Sequence, residues 1–167
     1  MQTINPEHVK VFLDLVNCGP YLELLSVKVC EMDIGYSKVE VELQNKHMNS
    51  FGAIHGGVYS SLIDTAAYWA VYCEIDEDVG YTSIDVCVNN LSMVHEGKII
   101  VEGKSIKIGK SLCMAEATAK DSTGKILAYG TSKLMVLNGK QSINHALEVL
   151  HNKSLPPKYL EIIPIKV

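Results

Sequence analysis

The chain has 167 residues, of which 47% are hydrophobic, so it can bury one continuous core but is too short for a second full domain. Its 19 acidic and 15 basic residues leave a net charge of −4, which excludes the overall positive field that drives nucleic-acid binding. Every basic residue is a lysine, so phosphate groups would have to be held by lysine charges, backbone N–H groups or hydroxyls.

The first predicted element is a short amphipathic helix. Asn5-Pro6 followed by Glu7 favours a helix start, and apolar residues recur at helical spacing until Gly19-Pro20 ends the helix. No basic segment leads into an apolar run at this end, and no stretch of about 18 apolar residues occurs elsewhere. We therefore expect a cytoplasmic protein that does not enter a membrane.

Alternation with a period of two then predicts a pair of antiparallel strands. The period changes at Leu22, apolar residues alternate over residues 25–29 and 39–43, and Gly35 allows a turn between them. Residues 45–57 follow as a polar loop that contains glycines.

Residues 58–75, VYSSLIDTAAYWAVYCEI, are apolar on nearly every face. This pattern predicts a helix of about five turns that is buried on all sides. Four further strands are predicted at residues 81–90, 98–108, 111–120 and 125–137. One helix and about six strands indicate an α+β fold, in which a curved antiparallel sheet wraps around one long central helix.

We assign residues 1–140 to this domain, with the N-terminal helix as a lead-in, and residues 141–167 to a C-terminal extension. The segment QSINHALEVLHNK can form a short amphipathic helix, whereas the last residues are interrupted by prolines and extended. We expect the extension to pack on the domain or on a neighbouring subunit.

The strongest chemical signal combines Asn49, the His55-Gly56-Gly57 segment and Asp64. The glycines allow a tight turn into the helix, where bare N–H groups and the helix dipole can polarise a carbonyl oxygen. Asp64 lies in the middle of the apolar helix, where an isolated carboxylate is costly to bury. Each feature alone also fits a structural role, as a helix N-terminal turn or as a hydrogen-bonded acid of the core.

Gly56 and Asp64 are eight residues apart on one helix, so about 12 Å separates them along its axis. They cannot act on one carbonyl group from the same chain. If both are catalytic, the site must combine Gly56 of one subunit with Asp64 of a two-fold related subunit.

The segment NSFGAIHGGVYSSLIDTAAYWA resembles the signature of hot-dog-fold thioesterases of the phenylacetate-pathway and 4-hydroxybenzoyl-CoA thioesterase type, and the similarity extends over roughly residues 45–138. The resemblance implies hydrolysis of an acyl-CoA, with CoA as part of the substrate and no separate cofactor. We also expect a homodimer that pairs into a dimer of dimers.

The resemblance also implies roles for individual residues. Asp64 would be the nucleophile or general base, and the Gly56 N–H would polarise the thioester carbonyl. His55 and Asn49 would orient the substrate and the loop, and Ser83 would help to place the attacking water. Without the resemblance Ser83 is an ordinary strand hydroxyl, which alternation places on one face with Asp85.

The segment Lys107-Ile108-Gly109-Lys110-Ser111 contains groups that can bind phosphate, but it lacks the spacing of a P-loop and lies between two strands. Both features argue against a nucleoside triphosphatase. It is either a solvated turn or, as in similar thioesterases, a contact for the CoA phosphates through Gly109, Lys110 and Ser111. We assign Gly57 to the same substrate-binding set.

No metal site is expected, because His47 and His55 have no acidic or cysteine residue at ligand spacing beside them. The five cysteines are scattered and never spaced as CxxC, so we interpret them as reduced and mostly buried. The aromatic residues of the central helix are interpreted as core, with lining of an acyl pocket as the alternative: Tyr59, Tyr68, Trp69 and Tyr72.

Two other functions stay open. A hydratase or dehydratase of the same fold would use a histidine before the central helix, typically with an upstream aspartate, but Asn49 stands six residues before His55. A non-catalytic acyl-CoA-binding module would keep the cleft and lose the acid, whereas Asp64 is present.

Overall fold

A computed structural model describes residues 2–77, 79–149 and 154–161. No helix in these ranges is long and apolar enough to cross a membrane. The elements follow in the order β1 (Gln2–Ile4), α1 (Pro6–Asn17), α2 (Pro20–Leu25), β2 (Val27–Asp33), β3 (Tyr36–Glu42), a 3-10 turn (Asn45–His47), α3 (Gly56–Tyr72), β4 (Val79–Asn90), β5 (Lys98–Lys107), β6 (Leu112–Asp121), β7 (Ile126–Asn138), α4 (Ile143–Val149) and β8 (Tyr159–Glu161).

Six antiparallel strands form the main sheet, in the order β2-β3-β5-β6-β7-β4, and all six contact α3. The inner face of α3 is fully buried and rich in small residues, which lets the sheet come close. At Gly103 an added Cβ would lie 2.2 Å from the Ala66 carbonyl oxygen, which also accepts a hydrogen bond from Ser37 Oγ at 2.6 Å. The predicted α+β arrangement of one wrapped helix is confirmed.

The N-terminal region differs from the prediction at α2. The Asn5 side chain caps α1 by accepting a hydrogen bond from the Glu7 N–H at 3.1 Å, as the sequence indicates. Strand alternation from Leu22 was a wrong prediction, because Pro20 starts a second helical turn. Ser26 ends that turn with a left-handed φ of 52°, and the strand begins only at residue 27.

The C-terminal extension packs against its own chain. The helical part of the extension is α4, and residues 150–153 of the predicted helix lie outside the described residues. Strand β8 pairs antiparallel with β1, a two-stranded ribbon that alternation did not predict. The Lys158 ammonium is buried and donates to the carbonyl oxygens of Tyr72, the last residue of α3, and of Ile75, which follows the helix, both at 2.6 Å. Burial lowers the pKa of Lys158 to about 8.

The prediction that most cysteines are buried was too broad. Cys73 and Cys113 are buried, whereas Cys18 and Cys87 are exposed. Cys18 lies at the end of α1, and Cys87 lies on β4, which is an edge strand of the sheet. The exposure of each cysteine depends on its place in the fold, and the hydrophobicity of the residue type alone does not predict that place.

Candidate active site

The Asp64 carboxylate is held by two hydroxyl groups. Its Oδ1 accepts a hydrogen bond from Ser83 Oγ on β4 at 2.7 Å and a longer one from Ser132 Oγ on β7 at 3.4 Å. Asp64 is half-buried, and no ion pair involves it in the described part of the chain. The carboxylate is therefore positioned without being neutralised by a cation. The sequence indicated Ser83 through the resemblance but gave no signal for Ser132.

A β-bulge directs Ser83 toward Asp64. Ser83 is opposite Leu134 in the β4-β7 ladder, whereas Asp85 is opposite Lys133, so the register shifts by one residue at Ile84. Leu134 is fully buried and Lys133 is exposed, so Ser83 and Asp85 point to opposite faces of the sheet. The expectation that they share one face was wrong, because the extra residue reverses the alternation.

The His55-Gly57 segment starts α3. His55 is the N-cap residue, and its Nδ1 accepts a hydrogen bond from the Gly57 N–H at 2.9 Å. An accepting Nδ1 puts the proton of the neutral ring on Nε2. The Gly57 N–H is thereby engaged, whereas the Gly56 N–H is the first of the helix and has no acceptor within it. Of the two glycines, Gly56 has the N–H that can bind a ligand oxygen.

Asn49 organises the loop that leads into this helix. Its Oδ1 accepts from the backbone N–H groups of Phe51 at 2.8 Å and Ala53 at 3.3 Å. Its own N–H donates to the Ala53 carbonyl at 2.7 Å, and the His55 N–H donates to the His47 carbonyl at 2.8 Å. The two ends of the loop are thus fixed, and with them the direction in which α3 begins.

Asn90 lies next to Gly56. A Cβ added at Gly56 would be 2.8 Å from Asn90 Nδ2, so a side chain at position 56 would collide with this amide. The two residues line a cavity of about 290 Å³ at the start of α3. The sequence did not single out Asn90, because only the folding of β4 beside the loop brings it there.

The Gly109-Ser111 turn lies near the opposite end of α3. Gly109 and Lys110 line a cavity of about 470 Å³ together with Glu74 and Asp76, which follow the helix. Helix α3 has 17 residues and is therefore about 25 Å long. Within one chain, the Gly56 N–H, the Asp64 carboxylate and the Lys110 turn therefore lie at separate points along the length of α3.

His47 is occupied by backbone contacts. Its Nδ1 accepts from the Gln44 N–H at 2.9 Å, and its Nε2 is 2.7 Å from the Leu25 carbonyl oxygen. Both ring nitrogens thus hold the loop in place and do not meet His55. Among the described residues, no group of three or more His, Cys, Asp or Glu side chains is arranged to bind a metal ion.

Comparisons with known proteins give a consistent family. Residues 51–128 match the family model of the thioesterase superfamily. The chain is 26% identical over 114 residues to the 1,4-dihydroxy-2-naphthoyl-CoA hydrolase of Listeria monocytogenes, covering 68% of this chain and 93% of that protein. It is 28% identical over 93 residues to acyl-coenzyme A thioesterase 13 of Mus musculus, covering 54% and 66%.

Solved structures agree on the fold. A thioesterase from Haemophilus influenzae superposes with a TM-score of 0.73 at 18% sequence identity, covering 79% of this chain and 92% of that one. A thioesterase family protein from Silicibacter pomeroyi superposes with a TM-score of 0.69 at 24% identity, covering 75% and 95%. The sheet wrapped around one helix is thus the hot-dog fold of these proteins.

Proposed function

We propose that this chain is a member of the thioesterase superfamily that hydrolyses an acyl-CoA thioester to a free acid and CoA. The observation that carries the proposal is the Asp64 carboxylate, which is the only charged side chain of α3 and is held by Ser83 at 2.7 Å. A carboxylate that is oriented but has no ion-pair partner in the described residues is suited to act as a base or nucleophile.

Two routes use the same groups. In the first, Asp64 takes a proton from a water molecule that attacks the thioester carbonyl, the C–S bond breaks, and the CoA thiolate leaves and is protonated. In the second, an Asp64 oxygen attacks the carbonyl and releases CoA, and water then hydrolyses the mixed anhydride. Ser83 holds the carboxylate and the attacking water in place, and the Gly56 N–H stabilises the negative charge on the carbonyl oxygen.

We assign the complete site to a homodimer, and we extend this to a dimer of dimers. About 12 Å of helix separates Gly56 from Asp64 in one chain, so each site takes the His55-Gly57 segment and the Asn49 loop from one subunit and Asp64 from the other. Strand β4 supports self-association, because it is an edge strand whose Ile84 is 55% exposed.

The CoA moiety is assigned to backbone groups and one lysine. The Gly109 N–H, the Lys110 ammonium and the Ser111 hydroxyl are the proposed contacts, whereas the Gly57 N–H already donates to His55 Nδ1 and is left out of this set. Lysine is the only basic residue type of the chain, so phosphate recognition here relies on a point charge and on N–H donors.

Release of free thiol from a panel of aryl, short-, medium- and long-chain acyl-CoAs tests the function. We expect hydrolysis of at least one aryl or medium-chain substrate, at a rate that a metal chelator leaves unchanged. Asp64→Asn keeps the shape of the side chain and removes the base, so kcat should fall by about 100-fold or more. Asp14→Asn, at an exposed position on α1, is the matched control and should leave kcat unchanged.

The alternatives give different results when an enoyl-CoA is added to this panel. A hydratase would add water to enoyl-CoA substrates and release no thiol, and a binding module would bind acyl-CoA without turnover. Thiol release by the Asp64→Asn protein at the wild-type rate would contradict the assigned mechanism.

A further inference from the structure

A cavity of about 320 Å³ has Asp64 of α3 among its lining residues. Phe12 and Val16 of α1, Leu22 of α2 and Ala146 of α4 form its walls opposite α3. These three helices lie outside residues 51–128, which match the family, so the far walls of the cavity are built by the flanking segments of this chain.

The hydroxyl groups in the α3 wall already donate hydrogen bonds to backbone carbonyl groups. Thr65 Oγ1 donates to the Ser61 carbonyl at 2.7 Å, and the Tyr68 hydroxyl donates to the Tyr81 carbonyl at 3.0 Å. Burial, helped by the nearby Asp64 charge, raises the pKa of Tyr68 to about 12, so its hydroxyl keeps its proton. A ligand substituent that only accepts hydrogen bonds would lose water here without gaining these hydroxyls as donors.

Aromatic rings make this wall rigid. The Trp69 ring packs edge-to-face on Phe12, with centroids 5.4 Å apart, and on Tyr68, with centroids 4.8 Å apart. Trp69 lines the cavity and is the only tryptophan of the chain. Perpendicular packing of this kind holds the rings in a fixed arrangement and leaves apolar surface toward the cavity.

We propose that this cavity binds the acyl group of the thioester and selects an unsubstituted apolar group of about six to twelve carbon atoms, because a cavity of about 150 Å³ is known to take up one benzene ring. The inference rests on the proposed function, since only Asp64 connects the cavity to the reaction. The subunit that supplies Asp64 then also supplies the acyl pocket, through its α1, α2 and α4.

Filling the cavity should change the substrate preference. Leu22→Phe and Ala146→Phe each add volume to a half-buried wall position, so the ratio of kcat/KM for octanoyl-CoA to that for acetyl-CoA should fall at least about tenfold. The matched control is Leu24→Phe, on the same helix but 67% exposed, which should keep the wild-type ratio. Circular dichroism spectra should show that all three variants are folded.

Trp69 fluorescence measures occupancy without catalysis. In the Asp64→Asn protein, octanoyl-CoA should change the emission in a saturable way, free CoA should not, and Leu22→Phe in that background should weaken the octanoyl-CoA response. The pocket assignment is wrong, and the proposed function stands, if thiol is released but the Trp69 emission does not change and Leu22→Phe and Ala146→Phe keep the wild-type ratio of kcat/KM values. If Trp69 responds but no acyl-CoA is hydrolysed, the pocket is correct and the proposed function is wrong.

Discussion

Asp64 lies between fully buried residues of α3, Ile63 on one side and Ala66 and Ala67 on the other. A carboxylate in such surroundings costs several kcal/mol unless hydrogen bonds replace its water. The Ser83 hydroxyl supplies a short hydrogen bond from β4, which explains how the helix tolerates the charge. The same hydrogen bond fixes the direction of the carboxylate, on which attack at a carbonyl depends.

Removal of the Ser83 hydroxyl should therefore affect turnover more than binding. For Ser83→Ala we expect kcat to fall about 10- to 100-fold while KM changes less than about threefold, because the carboxylate loses its orientation but the substrate contacts persist. Steady-state kinetics with the best substrate of the acyl-CoA panel measures both quantities.

Ser132→Ala is the matched control, since Ser132 Oγ approaches the same carboxylate oxygen at the longer distance of 3.4 Å. Its kcat should fall less than that of Ser83→Ala. A larger loss in Ser132→Ala than in Ser83→Ala would show that β7, and not β4, orients the carboxylate.

The sequence predicted the repeating elements of the fold well. Strong alternation gave the five strands β3 to β7 within a few residues of their bounds, and the all-round apolar pattern gave α3. Helix α2, with six residues, is too short to show a helical period, and β1 and β8, with three residues each, are too short to show alternation. The sequence also did not predict the bulge at Ile84, because the bulge depends on the pairing of β4 with β7.

For the candidate site as well, the sequence predicted local features and missed those that depend on contacts between distant parts of the chain. Residues of one continuous motif, from Asn49 to Asp64, were accessible to sequence reasoning because a local loop and one helix position them. Ser132 is 68 residues from Asp64, and the pocket walls come from α1, α2 and α4, so these parts depend on tertiary packing. Spacing along the chain carries no information about such contacts.

A separate prediction concerns the binding of CoA by the turn between β5 and β6. Lys110 is exposed and would attract a phosphate as a point charge, so Lys110→Ala should raise KM about two- to tenfold and change kcat less. The KM of the wild type should rise with salt concentration, and more steeply than that of the variant. Initial rates at two ionic strengths measure both effects.

Lys125→Ala removes another exposed lysine, which directly precedes β7, and serves as the control. Its KM should equal that of the wild type. If Lys110→Ala also keeps the wild-type KM, the CoA phosphates bind elsewhere, and the carboxylates of Glu74 and Asp76 beside Lys110 would explain why the turn does not attract them.

At the scale of the whole molecule, the sheet ends in a strand that exposes apolar side chains. Strand β4 is unpaired on its outer side among the described strands, and Ile84 and Val86 on it are 55% and 37% exposed. An edge with apolar side chains is a template for pairing with another chain. Such pairing would allow the Gly56 N–H of one subunit to approach the Asp64 carboxylate of the other, which one helix cannot do.

Mixed dimers test this shared site. Asn49→Ala damages the loop half of a site, because it removes the acceptor for the Phe51 and Ala53 N–H groups, and Asp64→Asn removes the acid half. Each variant alone should be much less active than the wild type, and Asp64→Asn should be the less active of the two while still binding CoA. In a dimer that contains one chain of each kind, one site carries both changes and the other carries neither.

If equal amounts of the two variants are unfolded together and reassembled at random, about half of the dimers are mixed, and each has one intact site of two. Roughly a quarter of the wild-type activity should then return, measured as thiol release against wild type that has been unfolded and reassembled in the same way. Recovery near this value requires that the loop and the carboxylate of a site come from different chains. A mixture whose activity equals the average of its two parents, with exchange of chains verified by mass tags, would place both residues in the site of one chain and would rule out the composite mechanism.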